Sequence, residues 1–192
     1  MSTPIIAIII SSTREGRFGD KPASWIHRIA SQRNDLVFEV IDLRDHPLPF
    51  FDESMPPVMA PAKNEAVRRW GQRLAGFDGF IVVTPEYNHG PTAVLKNAFD
   101  SVYAEFNRKP LAFVGYGSVG AARAIEQLRL LATSFQMVSL NSAVNIGMAE
   151  FTGIAQHGKS FDDFPYLAKS ATAMLDDLAW WAKALKPARA ST

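Results

Sequence analysis

The chain lacks cysteine entirely across its 192 residues. That absence excludes disulfides, a thiolate nucleophile, cysteine-ligated zinc, iron–sulfur clusters and the cysteine-dependent phosphatases. The histidines His27, His46, His89 and His157 show no close metal-ligand spacing, so no metal site is expected. An excess of one charge is missing too. Twenty basic and nineteen acidic residues leave a formal net charge of +1, with no long basic run. Binding of nucleic acid or of an anionic membrane by bulk charge is therefore not expected. Long apolar runs are also lacking. Near the N-terminus the run Pro4 to Ile10 is too short to span a bilayer, and Met1-Ser2-Thr3 lacks the basic start of a signal peptide. A cytoplasmic location is the expectation.

What is present is a 47% hydrophobic content, ordinary for one globular domain with a real core. Ile5 to Ile10 is continuous and β-branched, as in a strand buried on both faces of a parallel sheet. Further strands are expected at Leu36–Ile41 (more alternating, so nearer an edge), Gly79–Thr84, Leu111–Val114, and Met137–Leu140 with Ala143–Ile146. Helical stripes lie between them: Trp25, Ile26 and Ile29; Val67, Trp70 and Leu74; Val94, Leu95, Ala98, Val102 and Phe106; Ala121, Ile125, Leu128 and Leu131. A last helix opens near Asp162-Asp163 and carries Leu167, Ala171, Met174, Leu178, Trp181 and Leu185. Strict β-α alternation predicts a three-layer α/β sandwich, flavodoxin-like, with a five-stranded parallel sheet of order 2-1-3-4-5 and helices on both faces. Residues 1–186 form one domain in this reading. The proline-rich stretch 44–62 is an ordered surface excursion, and 187–192 a disordered tail.

Ligands of open α/β sheets bind outside the carboxyl ends of the strands, near the switch in strand order. Three segments fall there. Ser11-Ser12-Thr13-Arg14-Glu15-Gly16-Arg17-Phe18-Gly19 offers hydroxyls, flexible backbone and two arginines ahead of a helix. It suits a phosphate dianion, or else is a polar turn with surface arginines. Thr84-Pro85-Glu86-Tyr87-Asn88-His89-Gly90-Pro91 offers polar groups beside a flat wall, or a proline-punctuated cap for the next helix. Gly115-Tyr116-Gly117-Ser118-Val119-Gly120 matches G-x-G-x-x-G. It follows the fourth strand rather than the first, however, and Leu140 to Ala143 supply no acidic residue for a ribose. A glycine-lined wall beside a flat ligand fits it better, with tight helix–strand packing as the alternative.

These segments together resemble the NADPH-dependent FMN reductase family over roughly Ile5 to Ile146. The most specific parts are Thr84-Pro-Glu-Tyr-Asn with Leu95-Lys-Asn-Ala, then Gly120-Ala-Ala-Arg123-Ala-Ile-Glu-Gln-Leu-Arg129, then Ser12-Thr13-Arg14. The resemblance implies a flavodoxin-like FMN protein that passes hydride from NADPH or NADH to a quinone, flavin, azo or metal-ion acceptor. It implies that Ser12, Thr13, Arg14, Gly16, Arg17, Phe18 and Gly19 hold the phosphate. Pro85, Glu86, Tyr87 and Asn88 would line the isoalloxazine, and Tyr116, Gly117 and Ser118 would close its other side. No catalytic side chain is expected, since the flavin carries the chemistry. The family often has glycine at Ser11, serine and asparagine at Arg17 and Gly19, and serine where His89-Gly90 stand. Arg17 then compensates by charge or faces a partner subunit.

Other readings are a non-enzymatic flavin electron carrier and a signalling module on the same fold. Carriers are typically acidic, whereas this chain has a calculated pI near 8.0. His89 is read as a turn or solvent residue before a substrate contact, and Arg123 as half of a helix-to-helix or intersubunit ion pair. Glu86 accepts either a flavin or an intersubunit hydrogen bond. Arg17, Arg44, Arg108 and Lys159 are alternative partners for a 2′-phosphate. Phe99, Val102, Tyr103 and Phe106 suggest a homodimer or homotetramer through the third helix, or packing on the sheet.

Overall fold

A computed structural model describes residues 2–191. Met1, part of the N-terminal reading, and Thr192, the last residue of the expected tail, lie outside the described residues. The elements alternate as β1 (Ile5–Ile10), α1 (Asp20–Ala30), β2 (Val37–Asp42), α2 (Glu65–Ala75), β3 (Gly79–Pro85), α3 (Ala93–Asp100), β4 (Pro110–Tyr116), α4 (Ala122–Ser134), β5 (Val138–Ile146), α5 (Met148–Gln156) and α6 (Pro165–Ala190). The sheet is five-stranded and parallel with the expected order β2-β1-β3-β4-β5.

Alternation along the strands builds the layers. Ile6, Ile8 and Ile10 of β1 join Ile81 and Val83 of β3 and Ala112 and Val114 of β4 under α1 and α6. Ala7, Ile9, Phe80, Val82, Leu111 and Phe113 face α2, α3 and α4 on the other side. Both faces being covered explains the unbroken apolar runs. Burying Ile6, Ile8 and Ile9 fully stabilises the fold by about 2 kcal/mol each. β2 lies at the edge, and Val37 and Val40, on its two faces, are exposed.

The structure corrects three expectations. Helix α6 runs through Pro187 to Ala190 instead of ending in a disordered tail. Lys186 Nζ and Arg189 Nη2 reach Asp78 at 2.7 and 2.6 Å and pin its last turns beneath β1, where Asp78 also accepts the Ile5 N–H. Phe99, Val102 and Phe106 are buried within this one chain, so they pack on the sheet and offer no surface to a partner. Helix α3 stops at Asp100, and Phe106 lies in a separate 3-10 turn, Ala104–Phe106. Helix α5 was not foreseen. Its Phe151 packs 4.7 Å from Phe18 and backs the first loop.

The excursion after β2 is ordered without long regular structure. Asn97 clamps it to α3, accepting from Phe51 N at 2.9 Å and donating to the Pro49 carbonyl at 2.8 Å. The fifth strand is continuous, but its register with β4 shifts between Leu111 and Phe113. That bulge accounts for the sequence splitting into two short apolar segments.

Lys109 is buried, and its ammonium donates to the Leu74 and Ala75 carbonyls at the end of α2, at 3.2 and 3.4 Å. Burial lowers its pKa to about 8 from an ordinary 10.5. Between those values the unfolded chain binds more protons, so stability rises with pH. Urea unfolding across that window is expected to show the wild type gaining about 1–3 kcal/mol relative to Lys109→Met. A difference that stays flat contradicts the buried charge.

Candidate functional site

The carboxyl ends of β1, β3 and β4 are neighbours in the sheet, which brings the three loops to one edge. The first loop leaves β1 with Ser11 N donating to Val83 O at 3.1 Å. Ser12 Oγ then meets Tyr87 OH at 2.9 Å, and Arg14 N reaches Ser12 Oγ at 3.4 Å. Gly16 takes the left-handed φ of +62° that lets Arg17 N close a turn on the Arg14 carbonyl at 3.2 Å. Thr92 caps α3 by accepting from Leu95 N, and its hydroxyl also donates to the Ser11 carbonyl at 2.7 Å. One residue therefore fixes α3 and ties it to the first loop.

The second loop is a tight hairpin. Tyr87 and Gly90 exchange two backbone bonds of 2.9 and 3.0 Å, with Asn88 and His89 both left-handed between them, at φ +50° and +68°. Consecutive positive φ values in non-glycine residues store strain of the kind found at binding loops. Its side chains hold it to α4. The Glu86 carboxylate, 5% exposed, accepts from the Arg123 backbone N–H at 3.0 Å and pairs with the Arg123 guanidinium. Burial works to raise the Glu86 pKa, but the bonds from Arg123 and from the Ala124 N–H outweigh it and hold the group ionised. Arg123 Nη1 lies 2.9 Å from His89 Nε2, and Gln127 donates to the His89 carbonyl at 2.8 Å. Arginine only donates, so His89 Nε2 accepts.

The third loop turns back on itself. Gly117 N donates to Ile146 O and Gly120 N to Gly117 O, both at 3.1 Å. Gly117 has φ +125°, and a Cβ there would meet nothing within 4 Å, so its outer side is open. A Cβ on Gly115 would strike the Gly120 carbonyl at 2.3 Å; glycine is required there by helix–strand packing.

The expected residues separate into two groups. Thr13, Arg14, Gly16, Tyr87, Asn88, Gly117 and Ser118 lie at the surface of the three loops. Ser12 is buried and joins the first loop to the second through Tyr87. Phe18, Gly19 and Tyr116 are buried and stack beneath the loops. The Phe18 and Tyr116 rings are 5.3 Å apart, and a Cβ on Gly19 would meet the Tyr116 hydroxyl at 2.8 Å. Burial pushes the Tyr116 phenol well above its ordinary value. Pro85 is buried at the end of β3. The Arg17 guanidinium faces inward to Asp20, Asp42 and the Ser12 carbonyl instead of outward. Arg123 pairs within the chain, loop to helix, rather than between subunits. Arg44 donates through Nε and Nη2 to the Thr13 and Arg14 carbonyls. Thr92 and Asp42 were missed. The signal for Thr92 was a threonine directly ahead of an apolar helix; Asp42 carried none beyond standing at a strand end.

The loops fit a flat, singly phosphorylated cofactor. The N–H groups of Thr13, Glu15 and Gly16 have no acceptor among the described residues, and the buried Ser11 Oγ has no partner there either. Unpaired amides beside Arg14, ahead of α1, are the donor set that could hold an anion. The hairpin lies at the neighbouring strand end, and the Gly117 side is open to a Cβ.

Comparison with known proteins agrees. The NADPH-dependent FMN reductase family matches residues 4–151. An NAD(P)H-dependent FMN reductase of Schizosaccharomyces pombe is 39% identical over 137 residues, 70% of this chain and 68% of that protein. A 2-hydroxy-1,4-benzoquinone reductase of a Burkholderia species is 32% identical over 145 residues, 71% of this chain and 74% of the other. The fold is that of the flavoenzyme NAD(P)H:(acceptor) oxidoreductase from Paracoccus denitrificans, with a TM-score of 0.72 at 23% identity, covering 95% of this chain and 98% of that one. The chain belongs to the NADPH-dependent FMN reductase family. It is an oxidoreductase whose cofactors are FMN and NAD(P)H.

Replacing Glu86 by alanine removes both the anchor of the hairpin and the acceptor at the start of α4. The expected cost is about 1–2 kcal/mol in urea unfolding, with Arg123→Ala adding little in the double variant. Fully additive losses would contradict the pairing.

Proposed function

We propose that the chain binds FMN with its phosphate on the free amides of Thr13, Glu15 and Gly16, beside the Arg14 side chain. Its ring lies between Tyr87-Asn88 and Gly117-Ser118. Bound FMN supplies a centre that accepts hydride from NAD(P)H and returns electrons to a second small molecule. The protein holds the phosphate with unpaired N–H groups, orients the ring against a hairpin braced by Glu86 and Arg123, and leaves one side open at Gly117. The single observation behind this reading is the row of amides without acceptors at Thr13, Glu15 and Gly16, directly beside the Ser12–Tyr87 contact.

The acceptor is a quinone or azo compound in this proposal. Support comes from relatives named 2-hydroxy-1,4-benzoquinone reductase and FMN-dependent NADPH-azoreductase. A pure electron carrier fits less well, because the near-neutral charge offers no field to steer a basic redox protein. We further propose a cytoplasmic homodimer or homotetramer. Nicotinamide cofactors are intracellular, and the large apolar side chains of Phe50, Val94 and Leu130 stand exposed on one protomer, at 80%, 37% and 75%.

Two measurements test this. The visible spectrum of the FMN-loaded protein is expected to bleach on anaerobic NADPH addition and recover with a benzoquinone; a colourless protein that takes up no FMN overturns the proposal. Light scattering is expected to give two or four chain masses, and a monomer would overturn the assembly.

A further inference from the structure

We propose that Asp42, at the end of edge strand β2, works through Arg17 as a positioning residue that aims the first loop at a phosphate and so makes the site prefer FMN to unphosphorylated riboflavin. The inference rests on the flavin reading above and adds a residue outside the three loops.

The Arg17 side chain is 3% exposed, and every one of its N–H groups is taken. Nε and one Nη2 hydrogen go to Asp20 Oδ1, and the other Nη2 hydrogen to Asp42 Oδ2. Nη1 donates to Asp42 Oδ1 at 2.6 Å and to the Ser12 carbonyl at 2.7 Å. Guanidinium has five N–H donors in a rigid fork, so none is left for a ligand. Arg17 is thus no phosphate contact, although its place in the loop suggested one.

Its effect passes through the peptide plane. In a trans peptide the C=O of one residue and the N–H of the next point in opposite directions. With the Ser12 carbonyl drawn inward to Arg17, the Thr13 N–H is turned outward, and it has no acceptor among the described residues. Asp42 fixes Arg17 in bidentate fashion. Asp42 Oδ1 also accepts the Arg44 N–H at 2.9 Å, while the Arg44 side chain draws in the Thr13 and Arg14 carbonyls. The end of β2 therefore anchors two arginines that together hold three consecutive loop carbonyls away from the ligand side. A phosphate needs those amides; a riboflavin ring and ribityl chain do not.

The test uses the full-length protein freed of flavin. Dissociation constants for FMN and riboflavin are measured by fluorescence titration for the wild type, Asp42→Asn and the milder Arg17→Lys, with hydrogen exchange of residues 12–19 followed in the flavin-free state. Asp42→Asn is expected to weaken FMN roughly tenfold or more while riboflavin stays within about twofold. Arg17→Lys should fall between, and loop amides should exchange faster in both variants. Unchanged FMN affinity overturns the proposal. So does an equal loss for both flavins, which marks a merely structural role, or tighter FMN, which marks Arg17 as a direct ligand once released. If the wild type binds neither flavin, the cofactor reading fails, and the exchange data alone judge the brace: unaltered loop exchange in Asp42→Asn overturns it.

Discussion

Where a parallel strand ends, its last peptide groups lose their ladder partners, and something else must decide which way they point. In this chain the ends of β1, β3 and β4 stop side by side, and side chains make that decision. Thr92 takes the Ser11 carbonyl, Arg17 the Ser12 carbonyl and Arg44 the next two. The N–H groups of Thr13, Glu15 and Gly16 are left without acceptors among the described residues. For the phosphate proposed above, amides already oriented mean little reorganisation on binding. The proposed phosphate site rests on that arrangement of the sheet edge.

The same edge is stiffened from below and from the side. Phe18, Tyr116 and Phe151 form an aromatic floor under the first loop. Glu86 and Arg123 lock the hairpin to α4, whose N-terminal N–H groups the carboxylate satisfies. The strained pair Asn88-His89 persists because Gln127 and Arg123 grip it from outside. The excursion after β2 supplies Arg44 and is itself clamped by Asn97. The loops of the proposed site are thus held by rigid elements instead of by one another alone.

The sheet was legible because Ile5–Ile10 and Gly79–Pro85 are unbroken apolar runs that only a strand covered on both faces accommodates. The family was legible from the Pro85-Glu-Tyr-Asn stretch and the Gly120–Arg129 segment. Side-chain direction was not. Arg17 reads as a phosphate ligand by its place in the loop, and only the approach of Asp42 from a strand 25 residues away shows that it is consumed. Tyr116 was read as a wall for the ring; the β4 alternation sends it into the core instead. Helix α5 has apolar and polar residues without a clear stripe, and Pro187 looked like an end because its cost is offset by contacts to distant Asp78.

The most direct test is a crystal structure of the protein with FMN. The account predicts the phosphate within hydrogen-bond distance of the Thr13 and Gly16 N–H groups, the ring beside Tyr87-Asn88 and Gly117, and Arg17 still bound to Asp42. A phosphate seated on Arg17, or a flavin anchored away from the first loop, would contradict it.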